Sequence, residues 1–137
     1  MTTTAPGFSS FVSRASATLL LLGGLALLFA SDVLLPVLIP AFPAAGAWLG
    51  QLLGAAWLGL AGLNWLSRSL LLGGIYGRPV VYTNFVAHVT GGLVLLRACM
   101  APATSPLLWC MTAPILALAA TYAALMFRGP FDPLQAP

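Results

Sequence analysis

The stretch Asn64–His88 reads NWLSRSLLLGGIYGRPVVYTNFVAH. It holds two of the chain's five arginines, both of its asparagines and its only histidine. Residues 33–67 carry no charge ahead of it, and no charge falls between Arg78 and Arg97 behind. A membrane-spanning helix needs about 20 mostly apolar residues. A short polar link between two such runs therefore reads as two helix ends and the turn between them.

Composition extends that reading to the whole chain. Of its 137 residues, 61% are hydrophobic and 5% charged, with a mean hydropathy of +1.03. Soluble domains carry roughly 25% charged residues, and 5% cannot cover a water-facing surface of this size. The natural solvent is a bilayer. The net charge of +3 comes from five Arg and no Lys, against Asp32 and Asp132. So sparse a balance excludes a nucleic-acid surface, which needs a clustered basic face. A transmembrane barrel would show alternating segments of about 10 residues. The runs here are continuously apolar and longer, so the fold class is all-α integral membrane.

The spacing predicts four transmembrane helices in one domain, 1–137, with spans at about 15–35, 47–71, 80–98 and 107–127. Residues 1–13 read as a short polar tail. Pro36, Pro40 and Pro43 lie too close together for a regular helix, so residues 36–47 read as an irregular connection. The first span is not read as a cleaved leader: Leu28 stands where a small residue is wanted, and the apolar run continues past it. Short links make an up-down-up-down bundle. One side then holds Arg14, Arg68, Arg78 and Arg128, and the other Arg97. That asymmetry predicts cytoplasmic termini in the plasma membrane, the inner membrane of a bacterium.

Gly46, Gly50 and Gly54 form one stripe of small residues on the second span, and Ala55, Gly59 and Gly62 an adjacent one. Such stripes let helix backbones approach closely. The expected use is packing within the chain, with a dimer seam or a seat for a partner subunit as the alternative. Trp48, Trp109, Tyr76 and Tyr82 fall near span ends, where amphipathic rings prefer the headgroup level. Trp57 lies mid-span, where its indole N–H calls for a partner or a polar pocket.

Asn64 and Arg68 share a helix face, as do Asn84 and His88. At 1.5 Å per residue all three of Asn64, Asn84 and His88 lie roughly 7–13 Å from the link. Tyr122, on the last span, comes to a similar depth. Polar groups in hydrocarbon are costly unless paired. A cytoplasmic-side polar pocket of Asn64, Arg68, Asn84, His88 and Tyr122 follows, as a candidate ligand site. Leu at Asn84 and His88 should then matter more than Ala at Thr112 or Thr121.

The pocket contains no carboxylate, no metal set and no nucleophile with base and orienter, so no catalytic residue is assigned. His88, followed by Gly91 and Gly92, has three readings: a helix–helix hydrogen bond, a quinone or lipid partner, or the axial ligand of a haem or chlorophyll-type tetrapyrrole. Asp32 and Arg97 have matching depth and form a candidate ion pair. Cys99 and Cys110 bracket an outer link and form a candidate disulfide.

The function expected from these features is that of an accessory or interaction subunit, with the bilayer and a membrane protein or second copy as partners. The alternatives are a quinone- or lipid-binding or redox-coupled protein, a pigment or haem protein, and a small oligomeric transporter. The last would normally use a membrane carboxylate, and Asp32 is the one available.

Overall fold

The computed structural model describes residues 7–40, 42–101 and 104–129. Four helices account for most of them: α1 (Phe8–Leu38), α2 (Ala47–Leu66), α3 (Arg78–Cys99) and α4 (Leu108–Arg128). A 3-10 turn at Ala44–Gly46 leads into α2. All four helices are long and apolar enough to cross a membrane. No strand occurs among the described residues.

Helix α1 is longer than its apolar run. It starts at Phe8, inside the stretch expected to be a tail. The reason is visible in the spacing of Ser9, Ser13 and Ser16, at i, i+4 and i+7. All three are buried, so this end carries an inward small-polar face. Ser9 Oγ accepts the backbone N–H of Leu72 at 3.2 Å, which ties the start of α1 to the link after α2. At its other end α1 continues through Pro36 to Leu38, so the irregular connection begins later than expected. One residue, Ala30, leaves helical geometry (φ −133°, ψ 26°) and kinks the helix. It lies within two turns of Pro36, whose ring crowds the preceding turn and removes a donor.

Helix α2 ends at Leu66 rather than at residue 71. The chain then turns through residues 67–77, carrying Leu72 into full burial. Two glycines make this turn possible. Gly73 has φ +89°, a left-handed conformation that L side chains avoid. Gly77 lies against the Leu71 carbonyl, where a Cβ would collide. Pro79 sits in the first turn of α3, where a missing N–H costs nothing.

Packing is unequal. α1 and α2 lie along one another, as do α3 and α4, whereas α2 and α3 barely touch. The α1–α2 contact is backbone to backbone. A methyl placed on Gly54 would lie 2.7 Å from the Gly24 carbonyl oxygen and 2.9 Å from the Leu28 nitrogen. One placed on Gly50 would lie 2.8 Å from Ser31 Cβ. The two pairs are joined by a core of Val12, Leu72, Val80, Val81, Tyr122 and Leu125. At the opposite end, Ser105 N–H reaches the Leu38 carbonyl at 3.4 Å.

The two glycine stripes thus have different fates. Gly50 and Gly54 pack against α1, and Gly46 packs beside the Phe42 ring. Gly59 and Gly62 have nothing within 4 Å of an added methyl, so neither packs closely against a helix of this chain. Trp57 sets its ring edge against α1, 2.6 Å from where a Gly23 methyl would stand. Trp48, Trp109, Tyr76 and Tyr82 are exposed.

Candidate functional site

Asn64 near the end of α2 and Asn84 near the start of α3 are fully buried and face each other. Asn64 Nδ2 donates to Asn84 Oδ1 at 2.8 Å, and Asn84 Nδ2 donates to Asn64 Oδ1 at 2.7 Å. This reciprocal amide pair is the main bond between two helices that otherwise hardly meet. The second proton of Asn84 Nδ2 goes to the Val80 carbonyl at 2.9 Å.

Tyr122 of α4 and Ser16 of α1 extend the pair into a four-helix network. The Tyr122 hydroxyl donates to Asn64 Oδ1 at 3.4 Å. A shorter contact, 2.8 Å, joins the same hydroxyl to Ser16 Oγ, and either of the two can donate in it. Contacts thus link Ser16, Tyr122 and Asn64, and Asn64 is paired with Asn84. Each helix contributes one side chain. The arrangement offsets the desolvation of four polar groups in an apolar surround.

His88, one turn beyond Asn84, stacks on the Tyr122 ring with centroids 5.5 Å apart and planes 20° from parallel. Its Nδ1 lies 2.7 Å from the Asn84 carbonyl oxygen. A carbonyl can only accept, so Nδ1 carries the proton and Nε2 presents a lone pair. That Nε2 is buried and has no partner. A buried acceptor left unpaired costs about 1–3 kcal/mol, so Nε2 is the one member of the cluster with unused hydrogen-bonding capacity.

His88 also forms part of the wall of a groove of about 710 Å³. The groove lies where α2 and α3 separate. Trp57, Gly59 and Leu60 line it from α2; Thr83, His88 and Gly91 line it from α3. Residues of α1 and α4, Leu20 and Ile115 among them, close its floor. The wall includes no charged side chain.

The structure brings together four of the five residues expected to form the polar pocket. The exception is Arg68. It turns back on its own helix, donating to the Trp65 carbonyl at 2.7 Å and lying 4.6 Å over the Trp65 ring, a cation–π contact at the helix end. The amides are spent on one another, so the space for a ligand lies beside the cluster, in the groove.

Two other pairings do not form. Asp32 and Arg97 are both exposed, and no ion pair joins them or any others among the described residues. Each charge reaches the surface by itself, which avoids the cost of desolvating a pair. Cys99 and Cys110 are free thiols. Cys110 is exposed, whereas Cys99 Sγ lies 3.1 Å from the hydroxyl of Thr112. Thr112 is itself fully buried, which leaves Thr121 as the milder site for comparison.

The residues that sequence reading missed are Ser16 and Gly24. Ser16 belongs to a run of serines at helical spacing that was visible but lay beside the charge of Arg14. Gly24 sits in an unbroken apolar run and carries no spacing signal of its own. No group of three or more metal-binding side chains occurs among the described residues. No family model, curated protein or solved structure matches the chain.

Proposed function

We propose that this protein is an accessory subunit that docks, within the plasma membrane, against a larger membrane complex. One observation carries the reading. Ala55, Gly59 and Gly62 fall at i, i+4 and i+7 on the side of α2 away from α1, and a methyl at either glycine would meet nothing within 4 Å. Small residues in a membrane helix allow a second backbone to approach closely, and lipid offers no hydrophobic drive to do this work instead. The chain has already used Gly50 and Gly54 this way internally. The outer stripe repeats the device on an uncovered face.

The largely apolar exterior and the polar network closed by Ser16, Tyr122, Asn64 and Asn84 suit a part whose work is contact rather than chemistry. The proposal includes an up-down-up-down arrangement with both termini cytoplasmic. The arginine distribution supports that orientation: Arg14, Arg78 and Arg128 are exposed towards one set of helix ends and Arg97 at the other.

The test is purification from the native membrane in mild detergent. A defined membrane protein should co-purify in fixed ratio with the wild type and be lost from Gly62→Leu, while the variant keeps wild-type helicity and thermal stability. A wild type that emerges alone, or as a homodimer, overturns the proposal. So does a Gly62→Leu variant that keeps the same companion.

A further inference from the structure

The groove between α2 and α3 has a chemistry of its own. Its single buried polar atom without a partner is His88 Nε2, on a side chain only 2% exposed. The Asn84 carbonyl holds the proton on Nδ1, so Nε2 can only accept. Trp57 lines the same groove and its indole N–H makes no hydrogen bond to any described residue, which adds one unused donor. Gly59 and Gly91 line opposite sides with open space where side chains would be. The groove is thus flat-walled and apolar, with an acceptor and a donor.

We propose that this groove binds a lipid-soluble quinol, whose ring lies against the Gly59 and Gly91 walls and whose hydroxyl donates to His88 Nε2. The volume of about 710 Å³ is within the range of small-molecule pockets, roughly 300–1,000 Å³. An aromatic ring suits walls made flat by glycine and bordered by Trp57. A hydroxyl on that ring supplies the proton that Nε2 lacks, and the other ring oxygen is an acceptor for the Trp57 N–H. A phospholipid headgroup or a tetrapyrrole with carboxylates would bring charge into a wall that has none to meet it. Nε2 lies just beneath the groove surface, so the proposal requires a lining side chain to move aside as the hydroxyl approaches. Gly59 borders both this groove and the docking stripe, whereas Gly62 does not line the groove, so Gly62 tests the docking face separately.

The experiment is titration of the purified protein in lipid nanodiscs with decylubiquinol under anaerobic conditions, read by quenching of tryptophan fluorescence. Saturable binding is expected. The same quinol with both hydroxyls methylated, and the oxidised quinone, both lacking the donor, should bind at least tenfold more weakly. His88→Phe keeps the stack on Tyr122 and removes the acceptor; it should lose the preference for quinol over quinone. Gly91→Phe projects into the groove from a position where an added Cβ meets nothing within 4 Å, so it should fold normally and bind neither. Gly62→Leu should bind like the wild type, which separates this site from partner docking. Equal binding of quinol and methylated quinol overturns the proposal, as does full binding by Gly91→Phe. A visible absorption band on adding haemin that depends on His88, or a phospholipid retained in the groove by native mass spectrometry, would assign the site to those ligands instead. Should His88→Phe fail to fold, the methylated quinol and Gly91→Phe decide the matter without it.

Discussion

Helix α2 is held by two neighbours in two different ways. Against α1 it uses shape. Gly50 and Gly54 bring the backbones together, and Gly24 answers from the other side. Against α3 it uses chemistry, with the Asn64–Asn84 amide pair as the main contact and an open groove beyond it. The first contact gains many small dispersion terms along its length. The second is a single point of fastening whose worth depends on both partners being present. A membrane protein that closed every helix pair like the first would have no interior opening to the lipid. One fastened at a single polar point can have a groove beside the fastening.

The contrast can be broken most severely at Gly54. Gly54→Leu places atoms where even a methyl lies 2.7 Å from backbone, and backbone cannot yield as a flexible side chain does. The expected loss is about 3 kcal/mol or more, read as a collapse of the folded fraction in detergent denaturation followed by circular dichroism. Next in size is Asn84→Leu, which strands the Asn64 amide in an apolar surround. About 1–3 kcal/mol should be lost. The double change Asn64→Leu with Asn84→Leu should recover part of it, with a coupling of about 0.6–1.7 kcal/mol. A cycle with no coupling would show that the amides do not fasten the helices.

Tyr122→Phe should cost less, about 1 kcal/mol, because the ring and its stack on His88 stay while one hydroxyl goes. Its companion Ser16→Ala should then have little further effect, since the Ser16 hydroxyl has already lost its partner. Thermal melts of the two single variants and the double measure this directly. The smallest effect is expected on the outer face of α2. Gly62→Leu should move the stability of the isolated chain by no more than about 0.5 kcal/mol, in keeping with the empty space around it. A large loss there would mean that the face is covered within the chain, and would remove the asymmetry between the two stripes.

Much of the fold was legible because hydrophobic length is a strong signal. The bounds of α3 and α4 fell within about two residues of those expected. Two of the misjudged ends, the start of α1 and the end of α2, have a common cause. Residues 8–13 are polar enough to read as a tail, yet Ser9 and Ser13 are small enough to be buried on a helix face. Residues 67–71 are apolar enough to read as helix, yet the chain must turn there to bring Leu72 to the start of α1. In both places a tertiary contact outweighed local hydropathy.

The polar cluster was legible in part for a similar reason. Equal depth on neighbouring helices follows from counting residues, which brought Asn64, Asn84, His88 and Tyr122 to one level. Counting could not tell that the two amides would satisfy each other, because that depends on which way each helix is rotated. Nor could it send Arg68 back onto Trp65, leave Cys99 beside Thr112, or separate Asp32 from Arg97.

The solvent, the helical class and the number of spans belong to the sequence alone. Composition fixes the transfer free energy of each segment, and a bilayer requires every backbone group to be bonded within the segment. Only the tertiary structure decided which glycines touch a neighbour, that the amides close on themselves, and that His88 Nε2 stays without a partner beside an open groove. Those outcomes rest on helix rotation and spacing to within an ångström or two, and hydrophobicity is nearly indifferent to either.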